Sequence, residues 1–298
     1  MTKVAPNRAT FALLLTGSLV VGWRPLLTTF ALAFRNDQYT HILLILPVSV
    51  ALIFLEWPSL RETFVPNIRA GSAFLAAAAL AAILAGLKSR ALPPDVQLSI
   101  RMFALVVFWI GACVLCLGSR AARALLFPLC FLFWLVPFPS ALLTAVVSFL
   151  QQGSAMVGHW LFTAAGVPVS QDGIVLNIPG LTVEVSQECS SIRSSSMLLV
   201  TTMVIAQVLL RSVWRKALVV AVAVPLSVAK NGLRIFTISM LGTRVDPAYL
   251  TGRLHHQGGI IFFAVALAVI FALIWLLKRG EDRESRTSAL LTAPSGSG

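Results

Sequence analysis

The chain of 298 residues is 58% hydrophobic and only 11% charged, whereas soluble domains are nearer half apolar and a quarter charged. Apolar runs of about 18 residues or more recur along its length, which excludes an ordinary soluble fold and points to an all-α polytopic membrane protein. The net charge of +12 would suggest nucleic acid in a soluble protein. Basic cytoplasmic loops account for it here, and no nucleic-acid partner is expected.

About eight transmembrane helices are expected in chain order, at approximately 9–32, 41–57, 71–88, 101–118, 122–139, 190–210, 216–241 and 257–277. The first follows Lys3 and Arg8 and ends in no small-residue cleavage site, so it reads as a retained span. Pro58 follows the second, Pro66 precedes the third, and Pro137 with Pro139 closes the fifth. A long connection from Ser140 to Cys189 follows. Its first half, SALLTAVVSFLQQGSAMVGHWLFTAAG, has apolar residues at helical spacing with Gln151, Gln152, Ser154 and His159 among them. That pattern fits an interfacial or re-entrant helix, or a ninth span that would reverse the orientation downstream. Its second half alternates apolar and polar residues between turn signals at Asp172-Gly173 and Pro179-Gly180, which predicts a small external β-hairpin before span six. The segment after Lys278 is polar and rich in small residues. The expected organisation is one integral-membrane domain over 1–280 and a disordered cytoplasmic tail over 281–298.

With the N-terminus inside, thirteen of the 23 Lys and Arg residues fall on the inner side, seven on the outer side and three within spans. The bias predicts both termini in the cytoplasm, as for a multi-pass protein of the cell inner membrane. Four cysteines, Cys113, Cys116, Cys130 and Cys189, form no disulfide framework, and three lie in apolar segments where cysteine behaves as a small hydrophobe. Neither a metal site nor a cofactor is expected.

Three places set ionisable groups where a membrane protein rarely tolerates them. In VSQECSSIRSS, Ser186 can cap span six and put Cys189 in its first turn. The helix dipole and Arg193, four residues on, would favour the thiolate there; a structural cysteine beside a snorkelling arginine is the plainer reading. In PLSVAKNGLRIFTI, Lys230, Asn231 and Arg234 share one broad face of span seven, and Gly232 allows a neighbouring helix close. In TGRLHHQGGIIFF, His255 and His256 open span eight, either as a polar helix start or as part of a site. Under the predicted topology all three end at the outer membrane face. A thiol, an imidazole and a guanidinium at one level make a set of nucleophile, general acid/base, and oxyanion or carboxylate stabiliser.

In order and spacing, ECSSIRSS, NGLRI and LHHQGGIIFF resemble the cysteine, arginine and histidine motifs of the exosortases, which are related to the archaeosortases. NDQYTHILLILPVSV, with Asp37, Tyr39 and His41, resembles the early segment of that family. Ser191 stands where many of its members have glycine. The resemblance implies a membrane-embedded cysteine protease or transpeptidase with catalytic Cys189, Arg234 and His255, His256 being the alternative histidine. It implies as substrates exported proteins with a C-terminal Pro-Glu-Pro-type motif, a membrane helix and a basic tail, which are cleaved and transferred to an acceptor in bacteria that make exopolysaccharide. The other function class the residues admit is a polysaccharide or anion export component, with Lys230, Arg234 and the histidines lining the path. The oligomeric state is not legible.

Overall fold

The computed structural model describes residues 8–60, 64–185, 192–251 and 259–292. Seven of its helices are long and apolar enough to cross a membrane, eight when a bent pair at the start counts as one. The only sheet among the described residues is small, three-stranded and antiparallel. The all-α polytopic fold expected from composition is therefore present. The chain forms two compact units, Met1–Thr144 and Ala145–Gly298.

In the first unit, α1 (Arg8–Val21) and α2 (Trp23–Arg35) meet at a bend of 65°. Pro25 causes it: the ring has no N–H for the Val21 carbonyl and collides with it. A 3₁₀ turn, Asp37–Tyr39, leads into α3 (Ile42–Leu60). The hairpin of α4 (Ile68–Leu87) and α5 (Pro94–Leu117) is held by very close backbone approach. A Cβ built on Gly71 would stand 2.5 Å from the Leu115 Cα, so no larger residue fits without moving a helix.

The predicted fifth span is not one helix. It divides into α6 (Ser119–Ala124), α7 (Leu126–Phe131) and a 3₁₀ turn, Leu132–Leu135. Pro128 explains the first break, because its ring excludes the carbonyl of Ala124, where α6 stops. The predicted connection after Pro139 is instead a continuous helix, α8 (Ser140–Ala164), 25 residues long. At 1.5 Å per residue it reaches about 37 Å, enough to cross, so this stretch is a span rather than an interfacial helix. It takes the place of the broken fifth span, and the count stays at eight with the downstream orientation unchanged. Asp95 caps its start, one carboxylate oxygen accepting from the Ser140 N–H at 2.7 Å.

In the second unit, which takes up α8 from Ala145 onward, the predicted hairpin is present with a third strand. The order is β1 (Ser170–Asp172), β2 (Val175–Ile178) and β3 (Leu181–Glu184). Its turns use Gly173 at φ +58° and Gly180 at φ +81°, which glycine adopts without Cβ strain. Leu176, Ile178 and Val185 are buried against Phe162 of α8 and Ile235 of α10. Helices α9 (Ile192–Leu209) and α10 (Val213–Arg244) are joined by three residues and so run antiparallel. A short turn, α11 (Ala248–Thr251), and α12 (Gly259–Thr292) complete the unit. Leu198, Ala206, Val219, Ala223, Ile270 and Ile274 form the core between α9, α10 and α12.

The α12 helix continues through the polar stretch to Thr292, where composition had pointed to disorder from residue 281. Glu281 gives part of the reason. Its carboxylate accepts from the backbone N–H groups of Arg211 (3.0 Å) and Ser212 (2.8 Å) and lies 3.8 Å from the Arg215 guanidinium. The start of α10, whose N-cap residue Ser212 makes no side-chain cap hydrogen bond, thereby acquires an acceptor from α12. Glu281→Ala leaves those donors unsatisfied and is expected to cost about 1–3 kcal/mol, read as a lowered midpoint of thermal unfolding in detergent. An unchanged midpoint removes Glu281 from the account.

Candidate functional site

One side of α10 carries polar groups deep in the second unit. Lys230 is 6% exposed and Asn231 1%. Groups like these cost several kcal/mol in hydrocarbon unless partnered. Lys230 Nζ donates to Ser194 Oγ on α9. Asn231 Nδ2 donates to Ser154 Oγ on α8 at 3.0 Å. Arg234 follows Lys230 by four residues on the same face and is half-buried, and Arg193 on α9 is exposed. Ser195 Oγ is buried with no hydrogen-bond partner among the described residues.

Gly232, next to Asn231, makes the Asn231–Ser154 contact possible. A Cβ on Gly232 would stand 2.5 Å from Val157 Cγ1 and 3.1 Å from the Ser154 carbonyl oxygen. Val157 is β-branched and stiff, so α8 and α10 must part if Gly232 is enlarged. Gly232→Val is expected to lower stability by about 1–3 kcal/mol and to separate Asn231 from Ser154. The check is thermal unfolding together with crosslinking yield between cysteines placed at Val157 and Leu233. An unchanged yield and midpoint contradict the close packing.

The sheet is tied to the same place. Gln151 Nε2 on α8 donates to the Val185 carbonyl at 2.7 Å, fixing where the chain leaves β3. Gln151, Ser154 and Gly158 are all buried on α8, at i, i+3 and i+7. This face of α8 was the contribution missed from sequence, although the spacing of its small and polar residues carried the signal.

Helix lengths set the level of each end. Glu281 of α12 meets Ser212 at the start of α10. Arg234 lies 22 residues beyond Ser212, and Gly259 lies 22 residues before Glu281. Each interval is about 33 Å of helix, so Arg234 and the start of α12 stand at one level. The Lys230–Ser194 contact brings Ile192, the first described residue of α9, to that level as well. The sequence-based choices Cys189, His255 and His256 lie outside the described residues, as do Ser186, Ser191 and Arg253. Arg234 alone of the catalytic choices has a described position.

Asp37, Tyr39 and His41 belong to the first unit. There Tyr39 Oη donates to the Phe138 carbonyl at 3.0 Å, and the buried His41 ring meets Trp134 edge-on at 5.7 Å. Both hold the entry to α3 against the segment before α8. Cys113 and Cys116 are buried free thiols on α5, and Cys130 is exposed. Among the described residues no group of three or more His, Cys, Asp or Glu side chains could hold a metal ion.

A family model described as transmembrane exosortase (Exosortase_EpsH) matches residues 33–272. No curated protein and no solved structure matches the chain.

Proposed function

The chain belongs to the transmembrane exosortase family, and from that premise we propose that it is a membrane-embedded cysteine transpeptidase or protease acting on C-terminal sorting signals. The observation that carries this reading is the common level of Arg234, the start of α9 and the start of α12. Cys189 is three residues from Ile192, and His255 is four from Gly259. The hydrogen-bonded cluster of buried Lys230, Asn231 and Ser154 with half-buried Ser194 supports a polar floor beneath that level.

In this mechanism the Cys189 thiolate attacks the scissile carbonyl and a C–S bond forms. The Arg234 guanidinium either meets the oxyanion or holds the carboxylate of the substrate motif. His255, or His256 beside it, gives its proton to the leaving amine as the C–N bond breaks, leaving a thioester. An acceptor amine or hydroxyl, or water, then attacks the thioester, its proton passes to the same imidazole, and the thiolate departs. Substrates are exported proteins ending in a Pro-Glu-Pro-type motif, a membrane helix and a basic tail.

Charge within the second unit supports an outward-facing site. Arg211, Arg215, Lys216, Lys278, Arg279 and Arg283 cluster at the end opposite Arg234, and such clusters stay cytoplasmic. The tail of the chain and the substrate's basic tail would then share the cytoplasmic side of the inner membrane, with the chemistry at the outer face. The reading is tested by co-expressing a protein with such a C-terminus and following its conversion to a shorter form. Conversion that does not depend on this chain overturns it.

A further inference from the structure

The first unit contains a cavity of about 670 Å³ between α1, α4 and α5, with Arg24 at the start of α2 also on its lining. Its walls are apolar and thin, because Gly17, Ala79, Ala82 and Gly86 supply little side chain. Two cations line it, Arg24 and Arg101. They share one end. Trp109 Nε1 donates to Ser18 Oγ at 2.8 Å, and a Cβ on Gly22 would stand 3.0 Å from Leu105. Along α1 the chain therefore runs antiparallel to α5 as far as the Gly22–Leu105 contact. Arg24 lies two residues beyond Gly22 and Arg101 one turn before Leu105, so both stand near this end. The far end, beside Leu13, Ala78 and Phe108, has no charge.

Arginines on membrane helices cover apolar surface with their stems and keep the guanidinium at the edge, where it meets water or headgroups. These two line the cavity, and neither has a carboxylate within ion-pair distance among the described residues. The Arg24 guanidinium lies over the ring of its neighbour Trp23, 5.6 Å from the ring centre. Two like charges on one apolar cavity favour an anion between them, and guanidinium forks suit phosphate oxygens. The volume lies in the range of small-ligand sites, and the long uncharged remainder suits a hydrocarbon chain. Basic pockets between membrane helices hold anionic lipid headgroups for these reasons.

We propose that this cavity binds an anionic phospholipid, with one acyl chain between α1, α4 and α5 and the phosphate against Arg24 and Arg101. Both arginines are exposed, so replacing them leaves the packing of the unit intact. The site lies wholly in the first unit and is independent of the sorting reaction proposed above.

The full chain, purified in mild detergent, is incubated with an equimolar mixture of phosphatidylglycerol and phosphatidylethanolamine, and retained lipid is counted by native mass spectrometry. The expected result is a preference for phosphatidylglycerol of about tenfold, abolished in the Arg24→Gln/Arg101→Gln double variant. Ala82→Trp, which fills the groove, is expected to lower retention of both lipids. An equal uptake of the two lipids by the unmodified chain overturns the proposal, as does a preference that survives the double substitution. Retention unchanged by Ala82→Trp, in a variant whose thermal midpoint matches the parent, overturns the placement of the acyl chain.

Discussion

Cys189→Ala is expected to stop conversion of a co-expressed sorting-signal protein while the variant still accumulates in the membrane. Loss of a nucleophile removes the covalent route altogether, and the expected fall in rate is on the order of 10⁴-fold or more. Cys189→Ser is expected to be nearly as inactive, because an alcohol at neutral pH carries almost none of the thiolate's nucleophilicity. The measurement is the ratio of full-length to shortened substrate by immunoblot, with enzyme level and thermal midpoint as controls. Normal processing by Cys189→Ala sinks the nucleophile assignment. The thiol can also be probed directly in a Cys113→Ser/Cys116→Ser/Cys130→Ser background, where a membrane-impermeant maleimide added from outside should modify Cys189. Failure to label it there counts against an outward-facing site and leaves the nucleophile question to the processing assay.

Arg234→Ala carries the second large expected effect, and its form separates two roles. A guanidinium that meets the oxyanion acts mainly in the transition state, so its loss lowers kcat by about 10²–10³-fold with little change in KM. A guanidinium that holds the carboxylate of the substrate motif acts in the ground state as well, so its loss raises KM. A substrate with Gln in place of the motif Glu then distinguishes them. In the second case it is already poor with the parent enzyme and is made no worse by Arg234→Ala. In the first it remains sensitive to the substitution. Activity unchanged by Arg234→Ala removes the residue from the site. Arg234→Lys keeps the charge and loses the planar fork, so partial recovery is expected only if charge dominates.

The position of Arg234 illustrates what was readable in advance. Its spacing from Lys230 placed both on one face of a helix, and the observed α10 (Val213–Arg244) contains them as predicted from 216–241. The partners were not readable. Ser194 lies 36 residues from Lys230 in sequence, and Ser154 lies 77 from Asn231. A serine in an apolar helix gives no local sign of the donor it will meet. The span 122–139 failed for a related reason: Pro128 sat inside a sufficiently apolar run, and hydropathy alone does not register a lost carbonyl acceptor.

The same division runs through the whole chain. Composition and the period of apolar residues by themselves determined that this is a helical membrane protein, because hydrocarbon demands internally bonded backbone and apolar surfaces whichever helices become neighbours. The order of short motifs carried the family resemblance, since covalent spacing is retained in the linear chain. Only the tertiary structure decided that residues 140–164 form one helix closely packed on α10, that Glu281 serves the start of α10, and that two arginines share one apolar cavity. These are meetings between residues far apart in sequence, and their energies depend on distance and exclusion of water, which no local pattern records.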